Sequence, residues 1–174
     1  MTDTHNASKP VTEPPAVAAT AAPLRGTVAL VLPTLAYQIE QALLAGAREM
    51  LDEAGYQLVA VIGGYLPATA ARPDGRHWIY EFCATQQFSG TLFYGGGIGY
   101  CAGNLATRTI ADRFANRPLV NIGCVLEQIP SVLADNFSGM KALVEHLLRK
   151  RGLRRLAFIH GPATNQEAHE RFNG

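Results

Sequence analysis

Four short apolar runs, each followed by a stretch with helical spacing, restrict this chain more than any other feature of it. Thr27 to Leu32 (TVALVL), Gln57 to Ile62 (QLVAVI), Ser89 to Tyr94 (SGTLFY) and Leu119 to Ile122 (LVNI) are rich in β-branched and aromatic residues. The first two are continuous apolar runs rather than alternating ones, the pattern of strands buried on both faces of a parallel sheet. Parallel neighbours need crossover connections, and the intervening segments supply them.

From Tyr37 to Ala54 the spacing predicts a helix with Ile39, Leu43, Ala47, Met50, Leu51 and Ala54 inward and Glu40, Arg48, Glu49, Asp52 and Glu53 toward water, closed by Gly55. A second helix is expected from about His77 to Gln87, with Trp78, Ile79, Phe82 and Cys83 toward the sheet, and a third from Asn104 to Phe114. A fifth strand, Ser131 to Ala134, leads into Asp135-Asn136-Phe137-Ser138, where a helix N-cap belongs. The helix runs to about Arg151 with Leu143, Val144, Leu147 and Leu148 on the face meant for the sheet, and Gly152 stops it. A further apolar strand is expected at Arg155 to Ile159. With right-handed crossovers this alternation gives an α/β doubly wound parallel sheet in the order 2-1-3-4-5.

The 174 residues are 48% hydrophobic and 17% charged, with a net charge of +1, a balance that exerts no general pull toward nucleic acid or anionic lipid. No apolar run is long enough to span a membrane. Residues 1–25 differ from the rest, being dominated by Pro, Ala and Thr, and are expected to be a disordered tail. That tail makes a poor secretory leader, and Cys83, Cys101 and Cys124 are odd in number and widely spaced, so the expected location is the cytoplasm.

In an open α/β sheet, ligands sit outside the carboxyl ends of the strands, where loops and helix N-termini converge. The sequence puts Pro33 to Tyr37, Gly63 to Tyr65, Tyr94 to Tyr100, Gly123-Cys124 and Asp135-Asn136 there. Tyrosines at such an edge stack on rings while their hydroxyls donate hydrogen bonds, which singles out Tyr37, Tyr65 and Tyr94. Gly97-Ile98-Gly99-Tyr100-Cys101-Ala102 matches G-x-G-x-x-A between a strand and a helix, which supports an alternative reading as a nucleotide-dependent α/β enzyme of Rossmann or flavodoxin type. Against it, the motif lies on the third βα unit, and no acidic residue ends the following strand. The default expectation for that loop is a flexible edge of a cleft. The histidines lack metal-site spacing and no serine sits in a G-x-S-x-G elbow, so no catalytic residue, metal or cofactor is expected. The basic residues Arg149-Lys150-Arg151 and Arg154-Arg155 read as cations at a helix C-terminus rather than as a nucleic-acid patch.

Asp135-Asn136, Gly139, His146-Leu147, Gly152, Arg154-Arg155, Ala157-Phe158-Ile159, Gly161-Pro162 and Glu170-Arg171-Phe172-Asn173-Gly174 together resemble the sensor domain of the LacI/GalR repressor family. The resemblance extends over element order from Gly26 onward. It implies one lobe of the two-lobe type I periplasmic-binding-protein fold over residues 26–152, with residues 153–174 opening an incomplete second lobe. It also implies that Leu35 to Tyr37, Asp135 and Arg171 face the effector, and that a small molecule such as a sugar or nucleoside is bound between lobes. A homodimer is compatible with it. The family's helix-turn-helix has no counterpart in the first 25 residues, so direct DNA contact by this chain is not expected. The parent protein is expected to be a transcriptional regulator or a signalling protein, such as a diguanylate cyclase or a histidine kinase. With one lobe supplying one wall, the chain is expected to be a fragment holding little ligand alone.

Overall fold

The computed structural model describes residues 24–67 and 78–174. The expected tail up to Pro23, the loop to Gly75 and the proposed helix start at His77 lie outside the described residues. Five strands, β1 (Thr27–Leu32), β2 (Gln57–Ile62), β3 (Gly90–Phe93), β4 (Leu119–Ile122) and β5 (Ser131–Val132), form one sheet in the order β2-β1-β3-β4-β5. All pairs are parallel, with Val28 opposite both Leu58 and Gly90, and Thr91 opposite Leu119. Sequence order and sheet order therefore agree with the expectation.

The helices are α1 (Gln38–Glu53), α2 (Trp78–Ala84), α3 (Gly95–Ile98), α4 (Asn104–Ala111, continued by a 3-10 turn Asp112–Phe114), α5 (Asn136–Arg149) and α6 (Gln166–Asn173). The main core lies on one face of the sheet, where Ala29, Val31, Val61, Phe93 and Leu119 meet Tyr80, Ile98, Ala111, Phe114 and Leu126. Phe93 and Phe114 pack with ring centroids 6.1 Å apart. The hydroxyl of buried Tyr80 donates to the carbonyl of Gly64 at 2.6 Å, which lets a phenol sit in the core without an orphaned polar atom. Arg117 donates to the carbonyls of Ala84 and Gln86 at 2.7 and 2.5 Å, tying the end of α2 to the approach to β4.

Several faces differ from the sequence reading. In α1 the buried side is Glu40, with Leu43, Leu44, Ala47 and Leu51 half-buried, whereas Ile39 and Met50 are exposed. The helix is rotated because its first turn reaches over the carboxyl edge of the sheet, where Glu40 and not Ile39 points inward. In α2 it is Tyr80 and Cys83 that are buried, while Trp78 and Phe82 stack edge to face on the outside. Tyr80 wins the inward position because its hydroxyl has carbonyl acceptors there.

α5 buries no residue, and its main neighbour is α6 rather than a strand, so the expected packing of Leu143 and Leu148 on the sheet does not occur. Residues 155–159 form no strand. A strand needs a neighbour to take its backbone hydrogen bonds, and among the described residues none pairs with this segment. Leu156, Phe158 and Ile159 are accordingly exposed, Ile159 at 96%.

Candidate functional site

Each of the loops leaving the carboxyl ends of the strands reaches the same edge, and what lies there was assembled by close packing. Asn121, in the middle of an apolar strand, is fully buried. Its Oδ1 accepts from the Gly95 amide at 3.2 Å, and its Nδ2 donates to the Cys124 carbonyl and to Ser131 Oγ at 3.3 Å. One side chain thus joins the ends of β3, β4 and β5.

Gly95 to Gly99 is a buried single turn of helix and not an open cleft loop. A Cβ on Gly96 would stand 2.7 to 2.9 Å from the backbone of Gly123, and one on Gly97 would strike the Tyr94 ring. The amides of Gly95, Ile98, Gly99, Tyr100, Ala102 and Gly103 are already given to protein acceptors. A phosphate cradle needs free amides, and most of those in this turn are engaged within the protein, which packs tightly around its glycines.

Around this turn stand the aromatic residues expected at the edge. Tyr94, half-buried, has its phenol pushed up to about 12, first by burial and then by the carboxylates of Glu167 and Glu40 and by Tyr65, with Arg171 opposing. Tyr65 is raised by burial first, then by Glu40, Tyr37 and Cys101. Tyr37, the residue preceding α1, is 60% exposed at the rim. Tyr37, Tyr65, Tyr94 and Arg171 therefore lie in one electrostatic neighbourhood, in which Glu40 acts on both Tyr65 and Tyr94. The thiol of Cys124, beneath this group, is raised by burial.

Asp135 has a different, local task. Its carboxylate is the N-cap of α5, accepting from the Ser138 amide at 2.9 Å, and that hydrogen bond holds it below the ordinary carboxylate range. The cap is thus Asp135 itself, while the adjacent Asn136 reaches across the edge.

Residues 161–174 lie against this edge. Thr164 Oγ1 donates to the Cys101 carbonyl at 2.9 Å. Gln166 Oε1 accepts from Asn104 Nδ2 at 3.1 Å and from the Val125 amide at 3.0 Å. Arg171 Nη1 donates to Asn136 Oδ1 at 2.7 Å, with Glu167 3.6 Å from its other nitrogen, and Asn136 Nδ2 donates to Glu170 at 3.4 Å. The slot left between the glycine turn and Thr164 to Glu167 is about 10 Å³, the scale of a single water and no more.

Sequence reasoning missed Glu40, Asn121, Asn136 as a bridge, Gln166 and Glu167. An Asn inside an otherwise apolar strand was the one available signal, since a buried amide must be hydrogen-bonded. Glu40 was placed on the wet stripe by periodicity alone. No group of His, Cys, Asp and Glu that could hold a metal ion occurs among the described residues, and no described helix is long and apolar enough to cross a membrane.

No protein-family model and no curated protein matches the sequence. Solved structures do match its fold. A periplasmic solute-binding protein of an ABC transporter from Actinobacillus succinogenes 130z, with bound D-allose, superposes with a TM-score of 0.68 at 14% identity over 86% of this chain and 53% of that one. A periplasmic binding protein/LacI transcriptional regulator from Alkaliphilus metalliredigens QYMF, complexed with D-xylulofuranose, gives 0.63 at 18% identity over 84% and 49%. The transcription regulator CcpA of Lactococcus lactis gives 0.60 at 20% over 85% and 51%. The chain spans about half the length of these structures, and its fold is that of one periplasmic-binding-protein-like lobe.

Proposed function

We propose that this chain is the ligand-binding lobe of a regulatory small-molecule sensor, and that its ligand is a sugar-sized polar molecule held at the carboxyl edge of the sheet. The observation that carries this reading is the position of residues 161–174. They return to the edge occupied by Tyr37, Glu40, Tyr65 and Tyr94 and close it through hydrogen bonds that Thr164 and Arg171 donate and Gln166 accepts. In this reading α6 begins a second wall and residues 153–174 open a second lobe. A ligand enters by exchanging those polar contacts for its own, and the resulting shift between open and closed arrangements is the signal an output module reads.

The bound forms of two structural neighbours, with D-allose and with D-xylulofuranose, support a polyhydroxylated ligand. Asp135 and Arg171 are assigned to the rim, where a carboxylate and a guanidinium fork suit hydroxyl pairs. The test is hydrogen exchange of the chain with and without aldoses and ketoses at high millimolar concentration, alongside Asp135→Ala and Arg171→Ala. Binding is expected to alter exchange at both 94–104 and 161–171, and to weaken in each variant. Exchange that stays unchanged in both segments with every sugar would refute the assignment.

A further inference from the structure

Among the carboxyl groups of the edge, Glu40 is the one whose surroundings do not answer it. The residue is 2% exposed, and its Oε2 is buried with no hydrogen-bond partner. Several other carboxylates are met by a protein donor. Asp112 has Arg108 at 2.5 Å, Glu81 has Arg113 at 2.6 Å, Glu170 has Gln166 at 2.8 Å, and Asp135 has the Ser138 amide. Arg171, the cation across the edge, is committed to Asn136 and Glu167.

A position in the first turn of α1 gives Glu40 the favourable end of the helix dipole. It does not fill the lone pairs of Oε2. An unpaired buried carboxylate costs several kcal/mol, and such uncompensated groups gather where binding uses them.

What surrounds this carboxylate narrows the partner. Tyr65 and Tyr94 lie within its field, and Tyr37 precedes the same helix turn. Ring faces and a carboxylate in one place favour a positive charge, the carboxylate accepting N–H groups while the rings attract the cation electrostatically. A neutral hydroxyl would satisfy the lone pair and leave the buried charge uncompensated, whereas an ammonium does both.

We infer that the ligand of this edge carries a protonated amine, anchored by Glu40, so that the molecule sensed is an amino sugar or a similar hydroxylated amine. The inference rests on the carboxyl-edge reading proposed above and narrows the ligand class within it.

The experiment is amide-resolved NMR titration of the 174-residue chain with glucosamine, and with glucose as its neutral counterpart, at mildly acidic pH where the amine is protonated. Wild type and Glu40→Gln are compared. Glucosamine is expected to move amides of residues 37–41 and 94–96 and to bind at least tenfold more tightly than glucose. Glu40→Gln is expected to erase that preference. Equal affinities in wild type, or a preference that survives in Glu40→Gln, would overturn the amine and leave the cleft reading standing. If neither compound moves edge amides, both readings fall. A thermal melt without ligand separates anchoring from a structural role: Glu40→Gln should melt at or above wild type, since an unanswered charge has been removed, and a lower melting temperature would overturn the inference.

Discussion

Replacing Gly96 by Ala tests whether the glycine turn is the packed floor of the site. A Cβ there would sit 2.7 Å from the carbonyl carbon of Gly123, 2.8 Å from its oxygen and 2.9 Å from its Cα. All three are backbone atoms of a residue at φ +88°, a conformation with little freedom to retreat. Overpacking of this kind costs about 1 to 3 kcal/mol. The control is Gly139→Ala in α5, where a Cβ meets nothing within 4 Å and helix propensity favours Ala by about 0.5 to 1 kcal/mol. Urea unfolding at constant slope should therefore give opposite signs for one chemical change. For a chain of this size each kcal/mol moves the melting temperature by about 2 to 4 °C. A Gly96→Ala protein as stable as wild type would mean that the ends of β3 and β4 are loosely joined, and the account of the floor would fail.

Tyr94 should ionise late in an ultraviolet titration, because burial lifts its phenol to about 12. Its folded state holds the proton more tightly than the unfolded state, so the contribution is fully present below pH 10 and is lost as pH rises toward 12. Tyr94→Phe should remove that part of the alkaline loss, and an unchanged stability profile would contradict the burial argument. Cys124, buried and with its thiol raised, should react with iodoacetamide more slowly than half-exposed Cys101. Labelling of Cys124 at the same rate, read by peptide mass spectrometry, would show that the slot opens freely. Asn165→Ala removes the N-cap that accepts from the Ala168 amide at 2.8 Å. About 1 kcal/mol of helix stability should be lost, seen as faster hydrogen exchange in 166–173 with β1 to β4 unaffected.

The order of the five sheet strands was legible because it follows from local rules, parallel strands joined by helices leaving few topologies open. TVALVL is buried from Ala29 to Leu32 as its pattern implies, whereas QLVAVI lies at the sheet edge with only Val61 buried, a difference its apolar run does not reveal. Helix rotation was less legible. The stripe in α1 fitted Ile39 and Met50 as well as Leu43 and Leu51, and only the geometry of the edge turns Glu40 inward. The apolar spacing in α5 and the run 155–159 predicted burial that no described partner provides, since periodicity states what a segment wants to bury and not whether a surface is there. Tyr37, Tyr65 and Tyr94 were found from strand ends, whereas Asn136, Gln166 and Glu167 act through contacts between segments far apart in sequence, to which local pattern is blind.

The two kinds of bonding in the molecule bear on the switch proposed for this edge. The lobe itself is held by a continuous apolar core running from Val61 through Phe93 to Phe114 and Leu119. The segment that closes its edge is held there differently, by Thr164 to Cys101, Gln166 to Asn104 and Val125, Arg171 to Asn136, and Asn136 to Glu170, with Phe172 turned outward to Phe158 and His160. Each such hydrogen bond contributes about 0.5 to 1.5 kcal/mol net, because water replaces it on opening. Five of them amount to a few kcal/mol, the range in which a minor open state is populated and a ligand's differential affinity can redistribute the two arrangements. An apolar closure of similar area would be dry and permanent, whereas a polar one opens readily.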